Sequence, residues 1–211
     1  MTREESMTKK STAKWIIIVS VGVGVIAVIG IIALITAFLF SSEKEENRDI
    51  SKYNQYIGES AKDHFKDKWD MDETIFPEKI TDDMNVLDYY MQYYNPWDAQ
   101  YLSYLAVEYD DVHYKEEIKR LTSRKSTDYI GYYGATGFDE KYSLAAMNAD
   151  PYQGFVYALT DNQNTIVYVE LIFCNYFMDI DYSKYIKQEY LPLGFDATSD
   201  NPYEQKMMGE K

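Results

Sequence analysis

Cys174, the lone cysteine of this 211-residue chain, invites a nucleophile role with His113 as its base. A cysteine attacks as the thiolate, so it needs a cation or an imidazole beside it. Cys174 follows the apolar run Leu171-Ile172-Phe173, where a free Cys usually behaves as a small hydrophobe. The expectation is a core thiol. Glu170 is the odd residue within Val167-Tyr168-Val169-Glu170-Leu171-Ile172. A carboxylate on a sheet face can have a raised pKa and act as acid or base. Alternation puts Tyr168 and Tyr176 on the strand face of Glu170, where they would frame a shallow site. Tyr168, Glu170 and Tyr176 are therefore the candidate binding residues, on a sheet face expected to meet solvent. No second acid or His can be assigned to them, so no catalytic residue is named.

Other chemistry is sparse. Two His and one Cys cannot complete a four-ligand zinc site without carboxylates. The acidic pairs Asp82-Asp83, Asp110-Asp111, Asp139-Glu140 and Asp179/Asp181 lack the alternating loop of a calcium site and read as helix caps and turns. No phosphate loop, dinucleotide fingerprint, Gly-x-Ser-x-Gly elbow or His-Glu-x-x-His helix occurs. No metal or cofactor is expected. A His well upstream of a Cys on a strand, behind an apolar amino-terminal run, resembles the layout of sortases. Their Thr-Leu-x-Thr-Cys strand is replaced here by Leu171-Ile172-Phe173-Cys174, and no Arg follows the Cys. A Cys- or carboxylate-dependent envelope hydrolase or transpeptidase is thus an alternative reading only.

The chain carries 21 basic and 35 acidic residues, a formal charge of −14. Residues 1–40 hold four of the basic and two of the acidic ones, which leaves 17 and 33, or −16, in 41–211. Nucleic-acid binding is excluded as an expectation, because phosphate contacts need Lys and Arg. One Cys rules out an internal disulfide. All 22 Tyr lie after residue 40, and Tyr is enriched at binding surfaces.

Trp15 to Phe40 is uncharged, with only Ser20, Thr36 and the Trp15 indole polar. About 20 apolar residues suffice to cross a bilayer, so 15–40 is expected to be a single transmembrane helix in contact with lipid. Arg3, Lys9, Lys10 and Lys14 precede it, against Lys44, Arg48 and Lys52 after it. That bias places the tail 1–14 in the cytoplasm and the following domain outside a bacterial cell. A polar spacer is expected over 41–49, an acidic, Tyr-rich domain over 50–197 and a disordered end over 198–211.

Within that domain, Met84, Leu87, Met91 and Tyr94 follow helical spacing, ended by Pro96. Residues 100–109 read as a strand, with Asp111 capping a helix that carries Tyr114, Ile118 and Leu121. Residues 141–147 read as a short helix. Residues 155–160 and 165–177 read as strands around the hairpin loop Asp161-Asn162-Gln163-Asn164. Helices mostly first and strands mostly last predict an α+β class: one transmembrane helix, then a domain with helices packed on an antiparallel sheet. The functional expectation is a membrane-anchored, non-catalytic binding domain for an envelope protein, peptide or glycan. A small accessory subunit of a membrane complex is a further alternative.

Overall fold

The computed structural model describes residues 28–34 and 43–209. They fall into two units, divided after Ser42. The first contains a helical stretch over 28–34 with Val28, Ile29, Ile31, Ile32 and Leu34 exposed. Among the described residues no helix is long and apolar enough to cross a membrane. This corrects the expected transmembrane helix. Seven residues rise only about 10 Å, a third of a hydrocarbon core. The rest of 15–40, like the tail 1–14, lies outside the described residues.

The second unit is α+β, built on a six-stranded, wholly antiparallel sheet. Its strands are β1 (Glu43–Asn47), β2 (Met84–Asn95), β3 (Gln100–Tyr109), β4 (Ser143–Asp150), β5 (Gly154–Thr160) and β6 (Thr165–Ile172). The spatial order is β1-β2-β3-β6-β5-β4. Two three-stranded meanders thus meet along β3 and β6, with Ser103 opposite Glu170 and Leu105 opposite Tyr168. The helices are α1 (Asp111–Thr122), a single turn α2 (Tyr182–Tyr185) and α3 (Pro202–Gly209). The long connections do most of the covering. Residues 48–83 lie on one face through Tyr53, Ile57, Phe65, Ile75 and Phe76, and residues 129–142 and 173–207 supply the layer on the other through Tyr133, Tyr182, Tyr190 and Leu191.

Several local expectations change for one reason. Residues 84–94 form β2, not a helix. Tyr89, Met91 and Tyr93 face one core while Tyr90 faces the other, and burial on both faces hides the alternation. Ser143–Asp150 is also a strand, despite its Leu and Ala, because it pairs with β5. Strands are therefore spread along the whole chain, not gathered at its end. The strand at 100–109 and the 161–164 hairpin are found as expected. Helix α1 is capped by Asp110, one residue earlier than expected, with its carboxylate accepting from Val112 and His113 N–H.

Within the end expected over 198–211, Pro202–Gly209 forms the helix α3. Asn201 Oδ1 accepts the Glu204 N–H at 2.8 Å, and the Glu204 carboxylate accepts the Asp200 N–H at 2.8 Å. This reciprocal capping starts α3, whose Tyr203 and Met207 rest on the core. Glu43–Asn47, inside the expected spacer, is the edge strand β1.

Gly154 shows how tightly the sheet is closed. It has a φ of 101°, and a Cβ there would lie 2.1 Å from the Leu171 carbonyl oxygen and 2.8 Å from Phe173 Cε1. Gly154→Ala should cost about 3 kcal/mol or more, from backbone strain and overpacking together. Urea unfolding measures it; an unchanged midpoint would mean that the start of β5 moves aside freely.

Candidate functional site

Glu170 is fully buried, and so is Tyr168. Both point from β6 into the layer formed by 48–83, so the sheet face expected to be open is covered. A charged residue there needs a charged partner, because an isolated buried ion is prohibitively costly. Lys68 supplies it. Its Nζ lies 2.9 and 3.1 Å from the two Glu170 oxygens, and 5.5 Å from the Tyr101 ring centroid. Ser103 Oγ donates to Glu170 Oε1 at 3.1 Å from the neighbouring strand. Lys68 is only 3% exposed. It is followed by Trp69 and Asp70, both at positive φ, which turn the chain sharply away.

A second carboxylate shares the same ammonium. Glu73 Oε2 lies 3.1 Å from Lys68 Nζ, and Glu73 Oε1 accepts the Gly58 N–H at 2.7 Å. Burial raises the Glu73 pKa above the usual carboxylate value; the Glu170 charge adds to the rise and Lys68 opposes it. Glu73 is the member of the trio that reaches outward. It lines a cavity of about 780 Å3, with Ile57, Met71, Phe76, Pro77 and Met84 as apolar walls and Glu117, Arg120 and Arg124 as part of the polar rim.

Two arginines fix that rim. Arg120 holds Glu117 through two bonds, Nε–Oε2 at 2.6 Å and Nη2–Oε1 at 2.5 Å. It also donates to the Thr74 and Ile75 carbonyls at 2.7 Å each. Arg124 donates to Asp72 Oδ2 at 2.9 Å, to Thr74 Oγ1 at 2.7 Å and to the Thr74 carbonyl at 2.9 Å. The turn over 72–75 is thereby clamped to the end of α1. Tyr168 belongs to this network from below, donating to Glu117 Oε1 at 2.6 Å while its oxygen lies 2.8 Å from that of Tyr109.

Of the expected site residues, the structure brings Tyr168 and Glu170 under one layer and leaves Tyr176 out. Tyr176 lies beyond the end of β6 at a φ of 70° and packs edge-on to Tyr152 in the other core. Cys174 is 6% exposed. Burial and the neighbouring Asp98 push its thiol up to about 12, which leaves almost no thiolate at neutral pH. His113 is exposed and hydrogen-bonded to Asp110 at 2.7 Å, which raises its pKa. Among the described residues no group of three or more His, Cys, Asp or Glu is arranged to hold a metal ion.

Lys68, Glu73, Arg120 and Arg124 escaped the sequence reading. Lys68 is 102 positions from Glu170, so no local spacing joins them. Comparison with protein-family models, with curated proteins and with solved structures finds no match.

Two expectations follow from the shared ammonium. Lys68→Met leaves two buried carboxylates without their cation and should cost about 3–5 kcal/mol in urea unfolding at neutral pH; a loss below 1 kcal/mol would show that water reaches the pair. Glu73 behaves oppositely. Its pKa is raised in the fold, so the folded state binds the proton more readily than the unfolded chain. Its ionised form weighs against folding above the folded pKa, and that penalty fades as pH falls toward the ordinary Glu range. Glu73→Gln should therefore raise the urea midpoint above pH 7, with a gain that shrinks on acidification; a lower midpoint at every pH would contradict this.

Proposed function

We propose that residues 43–209 form a non-catalytic binding domain for a protein segment, peptide or glycan, and that the cavity beside Glu73 is its ligand site. The observation that carries this reading is the prebuilt cavity itself. Its walls are held by Arg120, Arg124 and Lys68 through bonds that need no ligand to form. Sites of this kind are concave and mostly apolar, with a few fixed polar groups. The apolar walls and the two signs of charge at the rim suit an amphipathic chain better than a small anion.

A catalytic reading finds less support. The Cys174 thiol is held protonated, and Glu170 is sealed from any substrate by Lys68 and the layer above it. Glu73, unlike Glu170, opens onto a surface that a ligand can reach.

Titration of the isotope-labelled domain with mixed peptide pools and soluble glycan fragments tests the reading. Amide resonances of Gly58, Glu73 and Thr74 should move saturably, while Ala158 in the sealed sheet stays still. Shifts clustered around Tyr152 and Tyr176 instead would move the site to the opposite face, and no saturable shift with any pool would remove the binding reading.

A further inference from the structure

Resting on that reading, we propose that the cavity selects a cationic group on an apolar stem, such as a Lys or Arg side chain, and receives it at Glu73. The buried trio holds two carboxylates and one ammonium. Glu170 is completed by Lys68 and Ser103 and has no exposed surface. The unmatched negative charge therefore belongs to Glu73, whose side chain is 17% exposed. Each of its oxygens accepts one donor, and an ionised carboxylate offers about four acceptor sites, so it has room for two more.

The cavity lining carries five carboxylates, Glu59, Asp72, Glu73, Glu78 and Glu117, against four cations, Lys66, Lys79, Arg120 and Arg124. Its arginines are each engaged by a carboxylate, although Arg124 Nε is buried without a hydrogen-bond partner among the described residues. Arg120 is neutralised by Glu117 in a two-bond pair, and Arg124 by Asp72. Ile57, Met71 and Phe76 give an aliphatic stem a surface to lie on. The formal charge of −16 over 41–211 draws cations toward the domain before any contact is made. A neutral ligand would leave the surplus carboxylate as it is. An anionic one would sit beside it.

Simple probes separate these cases. We would titrate the labelled protein with n-butylammonium, n-butylguanidinium, 1-butanol and butyrate at constant ionic strength, for the native chain and for Glu73→Gln. The two cations should shift Gly58, Glu73 and Thr74 amides saturably, butanol and butyrate should not, and Glu73→Gln should weaken the cations by about tenfold or more. Equal binding of butanol, or undiminished cation binding by Glu73→Gln, would overturn the cation proposal while leaving a binding cavity in place. The same holds if no amine binds but a peptide or glycan pool still shifts these amides. Silence from every ligand would take the cavity reading down with it. Equal shifts from sodium chloride alone would mean general screening of charge and would also overturn the proposal.

Discussion

A sheet buried on both faces by irregular chain must satisfy the backbone of that chain, and here tyrosine hydroxyls close carbonyls that the loops' own bonds leave open. Helices and strands pair their own N–H and C=O groups; the covering loops do so only in part, as in Lys62 N–H to the Gln55 carbonyl and Met178 N–H to the Ala197 carbonyl. Tyr53 donates to the Pro77 carbonyl at 2.6 Å, Tyr101 to His64 at 2.8 Å, Tyr133 to Pro151 at 2.9 Å and Tyr157 to Tyr190 at 2.7 Å. Each ring fills a core that the sheet demands, and each hydroxyl closes a carbonyl that the loop leaves open. A Phe at these positions would fill the same space and orphan the carbonyl, at a desolvation penalty of about 1–3 kcal/mol per group. The 22 tyrosines that suggest an adhesive surface are thus in good part internal fasteners. The edge-on ring pairs, such as Tyr56 with Phe65 and Tyr133 with Phe173, add packing to the same layers.

The charged trio pins the 48–83 layer in a way that the tyrosines cannot. A hydroxyl bonded to one carbonyl tolerates small slides. Lys68 does not, because its ammonium must reach Glu170 on β6 and Glu73 on its own segment together. Burying an ion pair adds little net stability compared with apolar packing, but any arrangement that breaks the pair is strongly disfavoured. The layer consequently has one register over the sheet. The consecutive positive φ values at Trp69 and Asp70 are the local consequence: the chain dives to seat Lys68 and must turn out again at once.

How much of this could be read in advance depended on how far apart the partners lie. The β5–β6 hairpin was legible because its signals are adjacent: apolar runs, then Asp161 accepting from Gln163, Asn164 and Thr165 N–H. The start of α1 was legible within one residue, since a capping Asp advertises itself locally. Strand β2 was not, because Met84, Leu87, Met91 and Tyr94 satisfy a helical period as well as a strand with both faces covered. The end helix α3 was missed because Asn201 works through a distant carbonyl, that of Tyr176, as well as through its own turn. For the candidate site, Glu170 was visibly anomalous in an apolar strand. The anomaly pointed correctly to something unusual but not to its answer. A buried carboxylate on a sheet has three resolutions, water, a proton or a cation, and only the fold says that Lys68 arrives from the connection between β1 and β2.

The same geometry explains why the cavity exists beside the trio and nowhere deeper. Lys68 draws its segment down onto β6, while Arg120 and Arg124 draw the turn over 72–75 sideways onto α1. A chain pulled toward two anchors at an angle cannot fill the space between them. Ile57, Phe76 and Met84 line what is left, and Glu73 sits where the two pulls meet. Its raised pKa comes first from burial in that segment, with the Glu170 charge adding to the rise and Lys68 opposing it. A site whose walls are already fixed loses little ordering entropy when it is occupied. That preorganisation, more than any single polar group, is what distinguishes this cleft as the proposed ligand site.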